Sequence, residues 1–295
     1  MARFGQILTA MVTPFDERGA VDLVGAATLA KWLVEHGNDG LVIAGTTGEA
    51  ATLSHDEQID LIAAVVEAVD VPVVAGAGSN NTTAAVELTE RATAAGATAI
   101  LQVTPYYNRP SQQGIADHFR ATAEATDLPV ILYDIPVRTG RKVQTELLLE
   151  LAHSVDNIVA LKDAAGDPAE TASLIAQAPD GFEVYSGDDG LTLPLLAVGG
   201  VGVIGVATHW TGLEHRAMFD AWDAGDIKTA QAKNTAMLPS FDYETGDDAP
   251  NPTPTKALLR LLGLPVGHCR PPMAAEPADL ADRARTILTG VEVGS

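Results

Sequence analysis

One cysteine occurs in 295 residues. Cys269 therefore has no partner for an internal disulfide, and a reducing cytosol is the expected setting. Its place in Gly-His-Cys-Arg-Pro-Pro near the C-terminus reads as inert rather than reactive. Basic residues are also scarce: 18 Lys and Arg stand against 39 Asp and Glu, for a net charge of −21. Neutralising phosphates needs a basic face, so nucleic acid is excluded as a partner, and an anionic membrane surface gains no support. The acidity serves solubility and identifies no substrate. No charged-then-apolar leader opens the chain and no apolar run is long enough to span a bilayer. A cytoplasmic protein without a membrane partner is expected. The seven histidines show neither H-E-x-x-H nor paired metal spacing, and no G-x-S-x-G elbow occurs, so no metal is expected and no serine nucleophile is indicated.

Short apolar runs recur instead, at Gln6–Ala10, Leu41–Ala44, Val71–Ala75, Ala99–Val103, Pro129–Tyr133, Ile158–Lys162, Phe182–Ser186 and Gly202–Val206. They are continuous rather than alternating, as strands of a parallel sheet covered on both faces should be. Helix-patterned segments lie between most of them, including Leu23–His36, Asp56–Val69, Thr82–Ala95, Gln112–Ala125, Thr145–His153 and Pro168–Ala178. Eight such units predict an α/β fold of the (β/α)8 TIM-barrel type, a catalytic domain over 1–224. Helical patterns at Lys228–Leu238, Thr255–Leu262 and Pro277–Gly290, joined by Pro- and Gly-rich turns, predict a C-terminal helical region over 225–295. Gly200-Val201-Gly202-Val203-Ile204-Gly205 matches G-x-G-x-x-G, but its glycines lead into and through a strand rather than from a strand into a helix, so no dinucleotide cofactor is expected.

Lysine is rare too, with six in the chain, and Lys162 alone closes a buried strand pattern. The other five lie in polar, helix-like or turn-like surroundings. Desolvation at a strand end disfavours the charged form and frees a nucleophilic amine, which can condense with a ketone to give a Schiff base. The alternative is a side chain that snorkels out of the strand end. Other strand ends of a barrel carry polar groups as well: Thr46 and Thr47 after strand two, Tyr106 and Tyr107 after strand four, Tyr133 on strand five with Arg138 beyond it, and Ser186-Gly187-Asp188-Asp189 on strand seven. Each alone has a structural explanation, such as a helix cap, a core tyrosine or a surface ion pair. Together they suit a keto acid: an amine for its carbonyl, hydroxyls and backbone N–H groups for its carboxylate, phenols to relay protons, and an arginine fork for a second carboxylate.

Gly45-Thr46-Thr47-Gly48-Glu49, Thr104-Pro105-Tyr106-Tyr107-Asn108, Tyr133-Asp134-Ile135-Pro136-Val137-Arg138-Thr139-Gly140, Leu161-Lys162-Asp163 and Ser186-Gly187-Asp188-Asp189 resemble the dihydrodipicolinate synthase family, a class I aldolase-like group that also contains N-acetylneuraminate lyase. The resemblance extends to Asn251-Pro252 and to Arg270-Pro271-Pro272-Met273. It implies condensation of pyruvate with L-aspartate-4-semialdehyde to 4-hydroxy-tetrahydrodipicolinate, in lysine and diaminopimelate biosynthesis, by a homotetramer or sometimes a dimer. Lys162 would form the Schiff base and no other cofactor would be needed. Tyr133, Thr46 and Tyr107 would relay protons, with Tyr107 donated across a subunit interface. Thr47 would hold the pyruvate carboxylate, Arg138 the carboxylate of the semialdehyde, and Gly187 and Ile204 would line the pocket. The rival is a 2-keto-3-deoxy sugar acid aldolase using the same lysine. His55, Asn80 and Tyr106 match the family's lysine-effector site. Gln58 replaces a common histidine there, and Ala84 replaces the glutamate that holds the effector's amino group, so weak or absent inhibition by lysine is expected.

Overall fold

The computed structural model describes residues 2–273 and 275–291. Met1, Ala274 and the last four residues of the expected 225–295 region lie outside the described residues. The chain runs β1 (Ile7–Ala10), α1 (Leu23–Glu35), β2 (Gly40–Ile43), α2 (His55–Ala68), β3 (Val73–Gly76), α3 (Thr82–Ala94), β4 (Ala99–Val103), α4 (Gln112–Glu124) and β5 (Val130–Asp134). It continues through α5 (Pro136–Thr139), α6 (Thr145–Ser154), β6 (Ile158–Asp163), α7 (Pro168–Gln177), β7 (Glu183–Ser186), α8 (Thr192–Ala197), β8 (Gly202–Gly205) and α9 (Thr208–Asp223). The helices α10 (Ile227–Tyr243), α11 (Thr253–Leu261) and α12 (Leu280–Leu288) follow.

All eight strands are parallel and close in sequence order, β8 pairing back onto β1. The expected TIM barrel with C-terminal helices is therefore the fold. The two-residue repeat of each strand sorts its side chains between two cores. Ile131, Tyr133, Ala160, Tyr185 and Ile204 pack in the barrel interior, while Leu132, Leu161 and Val184 face the helical layer. Helix starts are set by capping side chains: Asp22 on α1, Asn81 on α3, Ser111 on α4 and Asp167 on α7 each accept from backbone N–H groups of the first turn. Ser54 and Glu57 complete a reciprocal capping box on α2.

The glycine-rich stretch is a strand, as its pattern indicates. A Cβ at Gly202 would come within 2.3 Å of the Gln6 carbonyl oxygen, so close approach of β8 to β1 requires that glycine. Helix α10 outruns the expected Lys228–Leu238: it carries on through Pro239 to Tyr243. Tertiary contacts hold the extra turns, since Phe241 is buried and Ser240 accepts a hydrogen bond from the Trp210 indole at 3.0 Å. No described helix is long and apolar enough to cross a membrane.

Candidate active site

Strand register puts Lys162 level with Tyr133 of β5 on one side and Tyr185 of β7 on the other. Because Ala160 points into the barrel, so does Lys162 two residues on, and the residue is only 5% exposed. Its Nζ lies 4.4 Å from the centre of the Tyr133 ring. Burial brings its pKa down to about 8; Asp189 and Glu244 oppose the shift and the Arg138 charge adds to it. Among the described residues Lys162 has no ion-pair partner. Gly187 backs the lysine stem: a Cβ there would meet Lys162 Cγ at 3.0 Å and the Ala164 Cβ at 2.9 Å. The glycine N–H donates to the Asp163 carbonyl at 2.7 Å.

Tyr133 is buried and its pKa is pushed up to about 12, chiefly by that burial, against the nearby Arg138 charge and a hydrogen bond with the Thr46 side chain. The phenol thus stays protonated at neutral pH and is joined to a hydroxyl that reaches solvent, since Thr46 is exposed. Thr47 is buried and accepts a hydrogen bond from the Asn251 amide at 2.9 Å. That leaves its own hydroxyl proton free to donate. The turn carrying both threonines is tightly wound, with Glu49 N–H donating to the Thr46 carbonyl at 3.1 Å. Ala44 and Glu49 flank it at positive φ, +57° each, a backbone region that side-chain-bearing residues avoid.

A cleft of about 490 Å³ opens above this level. Thr46, Tyr133 and Arg138 form part of its wall, with His55, Gln58 and Tyr106 further along. Arg138 reaches it from α5, a single turn started by Pro136 at its first position, with Arg138 exposed and Thr139 buried. Lys162, Thr47, Gly187 and Ile204 are not in that wall. Lys162 lies over the Tyr133 ring, Gly187 lies beside the lysine stem, and Ile204 is fully buried in the barrel core. Tyr107 is 88% exposed at φ +73°, and among the described residues its hydrogen bonding is through the backbone, its N–H donating to the Thr139 carbonyl at 3.4 Å. Of the effector positions, Gln58 donates to the Ala50 carbonyl at 3.1 Å and Asn80 accepts from Asn108 through its carbonyl at 2.8 Å.

The C-terminal segment, part of the resemblance through Asn251-Pro252 and Arg270-Pro271-Pro272-Met273, also supplies residues to the site to which the sequence pattern assigns no role there. Asn251, Pro272 and Met273 line the cleft. Lys256 lies on a helix, as its pattern indicates, but is fully buried there, its Nζ 2.7 Å from Glu49 Oε1 and 4.1 Å from the Phe15 ring centre. Seven consecutive residues of α11, 253–259, are buried, whereas helical periodicity puts Lys256 away from the apolar Leu258 and Leu261, so no local pattern marks the lysine as buried.

The model of the Dihydrodipicolinate synthetase family matches residues 3–290. The chain is 50% identical over 290 residues to a 4-hydroxy-tetrahydrodipicolinate synthase of Moorella thermoacetica, covering 97% of this chain and 98% of that one. It is 46% identical over 272 residues to the enzyme of the same name from Bacillus subtilis, covering 92% and 93%. The solved dihydrodipicolinate synthase of Cyanidioschyzon merolae, described with lysine bound, superposes with a TM-score of 0.95 at 43% identity, over 98% of this chain and 99% of that one. With the barrel, the buried strand-six lysine and the threonine turn in register along nearly its whole length, the chain belongs to the dihydrodipicolinate synthetase family.

Proposed function

We propose that the protein is a Schiff-base-forming lyase that condenses pyruvate with L-aspartate-4-semialdehyde to 4-hydroxy-tetrahydrodipicolinate, in lysine and diaminopimelate biosynthesis. The observation that carries the reading is Lys162: a buried amine with its pKa lowered to about 8 and a protonated phenol beside it, in a chain half identical to enzymes of that name. The neutral amine adds to the pyruvate ketone. Loss of water gives an iminium, whose positive nitrogen takes up the electron pair of a methyl C–H bond as a base removes the proton, leaving an enamine. The enamine carbon attacks the aldehyde of the second substrate. The amino group of that substrate then displaces Lys162 and closes the ring.

Each step moves a proton, and Tyr133 with Thr46 offers a path between the buried nitrogen and solvent. The free hydroxyl proton of Thr47 suits the pyruvate carboxylate, while Gly187 and Ile204 shape the floor. Arg138, open to the cleft, suits the carboxylate of the semialdehyde bidentately. No bound cofactor is required, because the covalent imine is itself the electron sink. The exposure of Tyr107 fits a residue that completes the relay of a neighbouring subunit, and the proposed assembly is a homotetramer working in the cytoplasm.

Borohydride reduction in the presence of pyruvate, followed by mass mapping, tests the reading. A stable adduct on Lys162 and consumption of aspartate semialdehyde by the unreduced enzyme are expected. An adduct on another lysine, or none, would overturn it.

A further inference from the structure

The threonine turn is held from the far end of the chain. Asn251 donates to Thr47 Oγ1 at 2.9 Å across 204 residues of sequence. Lys256 Nζ sits 2.7 Å from Glu49 Oε1, and the other oxygen of that carboxylate accepts the Arg270 backbone N–H at 2.9 Å. Arg270 also reaches the Thr52 carbonyl at 2.8 Å. Three residues of the C-terminal segment therefore grip the short stretch from Thr47 to Thr52, at its threonine, its glutamate and its end. Buried ion pairs often contribute little to stability, because desolvation offsets the attraction. This one is placed where it acts on shape. Glu49 has left-handed backbone, two residues beyond Thr47, and both Glu49 and Asn251 line the cleft.

We propose that Lys256, acting through Glu49, is a positioning residue for keto-acid binding: with Asn251 it fixes the Thr46–Thr47 turn in the geometry that receives the substrate carboxylate. The inference rests on the function proposed above. Without Lys256, the buried Glu49 carboxylate keeps the Arg270 N–H but loses its cation, the left-handed turn loosens, and Thr47 is held by Asn251 alone. Lys162 stands on β6, outside this turn, and Thr46 keeps its own hydrogen bond with Tyr133, so the proton path to the amine is disturbed less than the Thr47 hydroxyl. The substitution therefore weakens ground-state binding more than turnover.

The test compares Lys256→Met, Glu49→Gln, the double variant and Asn251→Ala in steady-state kinetics with pyruvate and in borohydride trapping. Lys256→Met is expected to raise the pyruvate KM at least ~10-fold with kcat within ~3-fold, since uniform binding is what is lost. Glu49→Gln should shift KM in the same direction by less, and the double variant should recover part of the loss, because no unpaired buried charge remains. Asn251→Ala removes one hydrogen bond and no charge, so it keeps the question answerable if Lys256→Met fails to fold; a KM rise of ~3–10-fold is expected. Wild-type KM in both Glu49→Gln and Asn251→Ala, with only melting temperature lowered, would overturn the inference. Absence of a trapped adduct in the wild type would instead sink the proposed function.

Discussion

Lys162 and Lys256 are both buried, at 5% and 0% exposure, and each rests its ammonium on an aromatic ring, Tyr133 at 4.4 Å and Phe15 at 4.1 Å. Burial lowers the pKa of both. The surroundings then diverge. Lys256 has the Glu49 carboxylate at 2.7 Å and donates to the His268 carbonyl at 3.2 Å, contacts that favour its charged form. Lys162 feels Asp189 and Glu244 only as more distant charges, with no ion pair among the described residues. A buried lysine becomes a nucleophile or a strut according to what lies beside it. Burial alone does not decide between the two.

Replacing each lysine by methionine, an apolar chain of similar length, should separate the roles most sharply. Lys162→Met is expected to lower turnover by ~10⁴-fold or more, because the group that forms the covalent bond is gone. Its stability should hold or rise, since a buried, poorly compensated cation has been removed. Lys256→Met should do the reverse in a melting experiment, losing about 3–5 kcal/mol because Glu49 is stranded in the interior. Equal drops in melting temperature for both variants would break the comparison.

The pH dependence of adduct formation sharpens it further. With a pKa of about 8, the Lys162 amine is mostly protonated at neutral pH. The initial rate of trapped adduct should rise about tenfold per pH unit below 8 and level off above it. Tyr133, pushed up to about 12, contributes no break in that range. The stability sign follows from the same shift. The folded chain holds the Lys162 proton less tightly than the unfolded one, whose value is 10.5, so the cost of burying the charge is complete below pH 8 and is relieved as pH rises towards 10.5. A rate still climbing at the same slope above pH 9 would mean that Lys162 is not the depressed lysine.

Much of this was legible in the sequence because a barrel puts its chemistry where strands end, and a strand end is a local pattern. Lys162, Tyr133 and the Thr46–Thr47 turn each follow directly on an apolar run, and the structure brings the lysine, the phenol and Thr46 together. What stayed hidden depends on distance along the chain or on segments too short to show a period. Helix α5, which aims Arg138, has four residues and no pattern to read. Asn251 meets Thr47 across 204 residues, and nothing near Lys256 in sequence announces Glu49. The left-handed backbone at Glu49 is likewise invisible, because neither a glycine nor an asparagine marks it.

The outer edge of the same C-terminal clamp gives the smallest effect and the control for burial. Arg270 and Glu57 form an ion pair with side chains 17% and 32% exposed, against 0% and 2% for Lys256 and Glu49. The Arg270 hydrogen bond holds the Glu57 carboxyl down at about 2, below its ordinary 4.5. The pair's contribution is therefore complete above pH 4.5 and is lost as pH falls through 2. Near the surface, water screens it to no more than about 1 kcal/mol. Glu57→Gln should lower the melting temperature slightly at pH 7, and the gap from wild type should shrink at pH 3, where much of the advantage has already been titrated away. A loss as large as that of Lys256→Met, or one that does not change between the two pH values, would show that exposure does not set the worth of these pairs, and with it the distinction between strut and surface contact would fail.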